Sequence, residues 1–329
     1  MKRRAFIACL GGAAVVWPLA APAQQGQRMR RIGVLIGLAE DDPDAQARLA
    51  AFRQGLEKRG WSETRNIVID VRFAAAKGDR FQPLARELVA LQPNVILAHT
   101  TPAAASLQRE SRSIPIVFVT VSDPIGAGFI TSLARPGGNL TGLMMYEEGI
   151  VGKWLAMLKD ISPKMKRAAL VANPKTTPYD YFLRAAKLAA PSLGIELVPS
   201  PVESAGDIER AIESFAAVTN GGLLLPPDST TLFHRDLIIA LAARRRLPAV
   251  YAYQSVVEAG GLMSYGIDSI DMFRQSASYV DLILRGTKPA NLPVQAPTRY
   301  QTVLNLKTAK ALGLSVPPGL LVAADEVIE

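Results

Sequence analysis

The sequence predicts an α/β protein of two lobes, each a parallel sheet flanked by helices, joined by crossing segments. Three observations carry that prediction. Short apolar runs alternate with stretches of helical period from Arg31 onward, the same rhythm restarts after "RPGGNLTGLMMY", and 329 residues exceed what one hydrophobic core usually absorbs. With 49% hydrophobic and 20% charged residues, the composition suits a chain with a sizeable core and excludes a disordered or fibrous one.

The first lobe opens with the strand "RIGVLIG" and a helix in "DPDAQARLAAFRQGLEKRG", where Ala45, Leu49, Phe52 and Leu56 recur at spacings of three and four. "NIVIDVRFA" leads to the helix "DRFQPLARELVALQ", and "NVILAHT" leads to "PAAASLQRESRS". "PIVFVT" ends in the polar turn "VSDPIGAG". Successive strand and helix units of this kind build a parallel sheet covered on both faces. In the second lobe "EGIVGKWLAMLKDI" precedes "RAALVANP", followed by "YDYFLRAAKLAAPSLG", "IELVPS", "AGDIERAIESFAAVT" and "GGLLLPPD". "STTLFHRDLIIALAARRR" reads as one amphipathic helix containing His234, and "PAVYAY" and "GGLMSYG" complete the set. The rhythm then changes. "IDSIDMFRQSASYVDLILRG" is a long amphipathic helix, "TKPANLPVQAP" a connector and "TRYQTVLNL" a strand, read as the chain returning to the first lobe and crossing back. The expected division is 30–143 with about 267–288 for lobe 1, and 144–266 with about 297–329 for lobe 2 and hinge.

Residues 1–23 have the layout of a secretory signal: Lys2, Arg3 and Arg4, then an apolar stretch, then small residues at Ala21 and Ala23, with cleavage expected after Ala23. Adjacent Arg3 and Arg4 resemble a twin-arginine export signal, with the general secretion route still open. The apolar stretch is shorter than a spanning helix and contains Gly11, Gly12 and Pro18. Cys9, the only cysteine, leaves with the signal, so disulfides and thiol chemistry are excluded and the periplasm is expected. Removing three cations from a formal charge of +8 leaves 8 − 3 = +5. No basic stripe with interleaved aromatics accompanies that charge, so nucleic acid is not an expected partner.

In parallel sheets the ligand crevice lies beyond the carboxyl ends of the strands, where loops meet helix N-termini. That rule selects Gly37 and Leu38, then His99, Thr100 and Thr101, then Ser122 and Asp123 in the first lobe. In the second it selects Asn173 and Tyr179, then Asp228, then Tyr251 and Tyr265. Each has a plainer reading beside the functional one. Asp123, Asn173 and Asp228 fit helix caps or turns, His99 fits a buried histidine satisfied by backbone, and of the alternating Tyr251 and Tyr253 at most one faces the cleft. Catalytic patterns are missing: there is no G-x-S-x-G, P-loop, G-x-G-x-x-G or H-E-x-x-H. "EDDPD" is explained by the helix dipole, so neither metal nor cofactor is expected.

The order of the motifs "HTTPAAA", "IPIVFVTVSDPIGAGF", "SLARPGGNLTG", "KWLAMLKDISP", "LPAVY", "GGLMSYG", "LPVQAPTRY" and "NLKTAKALGLSVPPGLL" resembles the ABC-transporter substrate-binding proteins related to the tryptophan- and tyrosine-binding type. The resemblance implies a type I periplasmic-binding-protein fold that closes on a small organic solute, an amino acid or an aromatic or organic acid. It implies a monomer without enzymatic activity that serves an ABC permease in the inner membrane. It also implies roles: Thr100, Thr101 and Ser122 for a carboxylate, Asp123 or Asp228 for an ammonium, and Tyr179, Tyr251 and Tyr265 for flat apolar contact. A sensory module for a membrane receptor is the first alternative, and an exported α/β enzyme the weaker second.

Overall fold

The computed structural model describes residues 29–146 and 149–329. The expected signal, Met1–Ala23, lies outside them. The first sheet is built from β1 (Arg30–Ile36), α1 (Pro43–Glu57), β2 (Ile67–Phe73), α2 (Phe81–Ala90), β3 (Val95–His99), α3 (Thr101–Glu110), β4 (Ile116–Val121) and β5 (Leu140–Met144). Its five strands lie in the order β2-β1-β3-β4-β5 and all pair in parallel. The second part contains α4 (Ile150–Ile161), β6 (Arg167–Ala172), α5 (Tyr179–Ala189), β7 (Glu196–Pro201), α6 (Ala205–Ala216) and β8 (Gly221–Leu225). It continues through α7 (Ser229–Phe233), α8 (Arg235–Arg245), β9 (Ala249–Tyr251), α9 (Gln254–Glu258) and β10 (Met263–Gly266). After α10 (Ser269–Leu284) come β11 (Gln301–Asn305), α11 (Leu306–Ala311), α12 (Pro318–Val322) and β12 (Glu326–Ile328). The second sheet runs β12-β11-β10-β9-β8-β6-β7, parallel except where β10 meets β11.

The cores follow from strand alternation. On β1, Ile32, Val34 and Ile36 join one hydrophobic cluster with Leu49 and Phe52 of α1, while Leu35 joins another with Leu88 of α2 and Leu107 of α3. A strand apolar on both faces is what two helical layers require. The stripe Ala45, Leu49, Phe52 and Leu56 on α1 is buried throughout. The helix expected through His234 differs: it breaks there, at φ −97° and ψ 23°, into α7 and α8. Asp228 anchors the first turn of α7, whereas α8 packs against α6.

The chain passes between the two sheets three times: after β5 through Met145 and Tyr146 toward α4, at residues 267–268 and at residues 293–300. Helix α10 packs on α1, β3, β4 and β5 of the first sheet. The chain then runs alongside β5, where the Gln295 amide donates to the Gly142 carbonyl and the Met144 amide to the Gln295 carbonyl, both at 3.0 Å. It enters the second sheet at β11. Each segment, or the strand residue beside it, contributes one tyrosine to a column. Tyr146 stacks on Tyr300 at 6.2 Å with 12° between planes, and Tyr300 on Tyr265 at 5.3 Å and 18°. Trp154 meets Tyr146 edge-on and donates its indole N–H to the Tyr265 carbonyl at 2.6 Å.

Candidate functional site

The carboxyl ends of the strands in both sheets face one gap, and loops from the two sides touch across it. The Thr230 hydroxyl donates to the Ala76 carbonyl at 3.2 Å, and Arg235 at the start of α8 lies 3.4 Å from Asp42, the N-cap of α1. Gly37, directly after β1, approaches so closely that an added Cβ would lie 2.7 Å from the Ser229 hydroxyl oxygen, which only glycine avoids. Closed contact of this kind buries polar groups from both rims.

On the first-lobe rim, His99 ends β3 and is 1% exposed. The Gly37 amide donates to its Nδ1 at 3.2 Å, and Arg48 Nη1 lies 3.1 Å from its Nε2. Burial, reinforced by the nearby Arg48 charge, lowers the His99 pKa well below its ordinary value, so the ring is neutral. Phe273 of α10 packs edge-on against it at 5.3 Å. Thr100, the N-cap of α3, has φ 84° and ψ 158°, a strained backbone for threonine. The Ser122 amide reaches the Thr101 hydroxyl at 3.3 Å, tying β4 to the start of α3. Asp123, at φ 47°, accepts the Gly126 amide at 2.7 Å in its own turn, and a side chain at Gly126 would collide with that carboxylate. Leu38 is buried, its carbonyl accepting the Ala75 amide.

The second rim is internally satisfied. Asp228 caps α7 by accepting the amides of Thr230 and Thr231, and it also accepts the Asn173 amide at 3.1 Å and the Thr176 hydroxyl. Burial pushes its pKa up while these donors pull the other way. The Asn173 side chain donates to the Thr230 hydroxyl at 2.9 Å, and Thr177 donates to the Pro227 carbonyl at 2.5 Å. Tyr179 borders the cavity described below, while its hydroxyl donates to the Leu170 carbonyl and accepts the Ser200 amide, bracing β6 against β7. Of the two alternating tyrosines, Tyr253 reaches the first lobe, with the Arg48 guanidinium 5.1 Å from its ring centre. Burial raises its phenol to about 12 against the opposing effect of Arg48. Tyr251 instead packs beside Gly261, and Tyr265 belongs to the tyrosine column.

Beside these contacts a cavity of about 290 Å³ opens between the lobes, lined by Ser122, Asp123 and Gly126 on one side and Thr177, Tyr181 and Arg184 on the other. Among the described residues no group of three His, Cys, Asp or Glu side chains is placed to hold a metal, and no helix is long and apolar enough to cross a membrane. Asp42 and Asp44 of the "EDDPD" stretch face Arg235 instead.

A family model described as ABC transporter substrate binding protein matches residues 32–328. The chain belongs to that family. It is 25% identical over 281 residues to a tyrosine-binding protein of Clostridioides difficile, covering 85% of this chain and 81% of the relative. A conserved domain protein from Vibrio cholerae is 29% identical, with a TM-score of 0.85 over 91% of this chain and 100% of its own. A Streptococcus pneumonia ABC domain in complex with L-Trp is 24% identical, with a TM-score of 0.84 over 91% of this chain and 100% of its own. A ligand-free, open substrate-binding protein from Clostridium difficile is 25% identical, yet its TM-score falls to 0.65 over 91% and 99%. The fold is the two-lobed, type I periplasmic-binding α/β fold.

Arg48 was absent from the residues selected by sequence, although a signal existed. It lies three residues after Ala45 and four before Phe52, inside the buried stripe of α1, where a cation is out of place.

Proposed function

We propose that this binding protein is the exported solute-binding component of an ABC uptake system, taking a small organic solute into the gap between its lobes and presenting the closed form to a membrane permease. The observation that carries the reading is the pair of opposed rims, meeting at Gly37 and Ser229 with a cavity beside them. On this reading 30–143 with 267–288 and 144–266 with 297–329 move as two bodies, and the three connecting segments bend. The solute contacts fall to His99, Thr100, Thr101, Ser122 and Asp123 on one rim, and to Asn173 and the Ser229–Thr231 turn on the other. Tyr179, Tyr251 and Asp228 hold the frame. Solute then stabilises closure only by binding that form better. The aromatic amino acids named for the relatives above head the candidate solutes.

Thermal unfolding of the mature protein against amino acids, aromatic acids, small organic acids and sugars tests this. A true solute at 100 times its Kd adds about 2.7 kcal/mol of stability. Deleting the gene then abolishes uptake of that solute in radiolabelled form; unchanged uptake, with the permease expressed independently, rejects the transport role.

A further inference from the structure

The buried polar groups around His99 are donors without an acceptor. The Arg48 side chain is wholly buried, yet its Nε and Nη2 have no hydrogen-bond partner among the described residues, and neither has the buried Thr100 hydroxyl. The nearest carboxylate, Asp44, stands 3.8 Å from Nη2, at ion-pair range and beyond a hydrogen bond. His99 does not relieve the shortage. A neutral imidazole has one accepting nitrogen, while the Gly37 amide approaches Nδ1 and Arg48 approaches Nε2. Whichever nitrogen carries the proton, two donors meet there. Burying guanidinium N–H groups without acceptors is costly, and the deficit is specifically of acceptor oxygens.

We infer that Arg48 is the anion receptor of the cleft and that the solute carries a carboxylate, which receives Arg48 Nε and Nη2 with support from the Thr100 hydroxyl. This rests on the reading of the gap as a solute site and names the chemistry that site selects. A carboxylate matches the planar donor fork of arginine, two oxygens to two N–H groups. Tyr253, over whose ring the guanidinium lies, belongs to the opposite lobe, so the charge is completed only when the lobes close.

The test compares wild type, Arg48→Met and Arg48→Lys by thermal shift and calorimetry. The probes are monocarboxylates from acetate to 3-(indol-3-yl)propionate, L-tyrosine and L-tryptophan, the corresponding primary amides, and inorganic phosphate. The expected result is that wild type answers carboxylates and not their amides, that Arg48→Met weakens the best carboxylate at least about 30-fold, and that Arg48→Lys recovers part of the loss. Without solute, Arg48→Met melts close to wild type, because the N–H groups it removes are buried without acceptors and its ion pair with Asp44 is longer than a hydrogen bond; a purely structural arginine gives a lower melting temperature and unchanged affinity. Equal binding by the amides, a response to phosphate alone, or a wild-type response from Arg48→Met overturns the proposal. If wild type answers only neutral or cationic solutes, the carboxylate is wrong and solute binding stands. If it answers none of these or the broader panel, both readings fall.

Discussion

The two rims of the cleft are made from the same kinds of residue and behave oppositely. In the second lobe Asp228 accepts from Asn173, Thr176, Thr230 and Thr231, so the loop after β8 and the loop after β6 are locked to each other. In the first lobe Arg48 and Thr100 have polar atoms with no partner. One rim has completed its hydrogen bonding within the protein; the other has not. On the proposed reading, a preformed surface on one side and unsatisfied donors on the other let a single small molecule decide whether the lobes stay together.

The sharpest way to break this comparison is at the satisfied rim. Asp228→Ala leaves four donors facing a buried void and removes the cap of α7, so urea unfolding should register a loss of about 3 kcal/mol. A loss no larger than that of an ordinary surface substitution would show that the lock is not structural.

The open rim is probed next by pH. The neutral His99 ring is the folded form, whereas the unfolded ring takes up a proton near its ordinary value of about 6.5. Stability held by the neutral ring is complete above that value and is lost as pH falls toward the lower folded pKa. Between pH 7.5 and 5.5 the loss should approach about 1.4 kcal/mol, and His99→Gln should flatten the profile. His234, half-buried and lowered by desolvation alone, remains in that variant as the internal control.

The smallest effect concerns the contact between rims. Gly37→Ala places a methyl against Ser229, strains the closed form by about 1 kcal/mol, and should weaken the best-binding probe about fivefold while leaving solute-free unfolding nearly unchanged. Adding Ser229→Ala removes the colliding hydroxyl and should restore affinity. Failure of that rescue would separate the two rims.

Much of the fold was legible because the signals were local. Ile32, Val34 and Ile36 alternate as a buried strand must, and the stripe of α1 declares its inward face. The rims were legible because parallel sheets collect their loops at one end. What remained hidden depended on long-range geometry. Alternation showed that Tyr251 and Tyr253 point opposite ways, but which one meets the first lobe depends on how the sheets are set against each other. Asp228 was readable as a cap, while its bonds to Asn173 and Thr176, more than fifty residues away, were not. Strand β12 is three residues long and none of them is fully buried, too brief to leave a pattern.

The tyrosine column at the crossings bears on how such a protein turns. Tyr146, Tyr300 and Tyr265 lie nearly face to face, one from each passage of the chain. Flat rings keep most of their mutual attraction when one slides or rotates over the next, since that attraction depends chiefly on separation and offset. On the proposed two-body reading, the stacked faces work as a bearing rather than a spring: they carry load between the passages while adding little torque of their own, and the resting angle is left to whatever occupies the jaws.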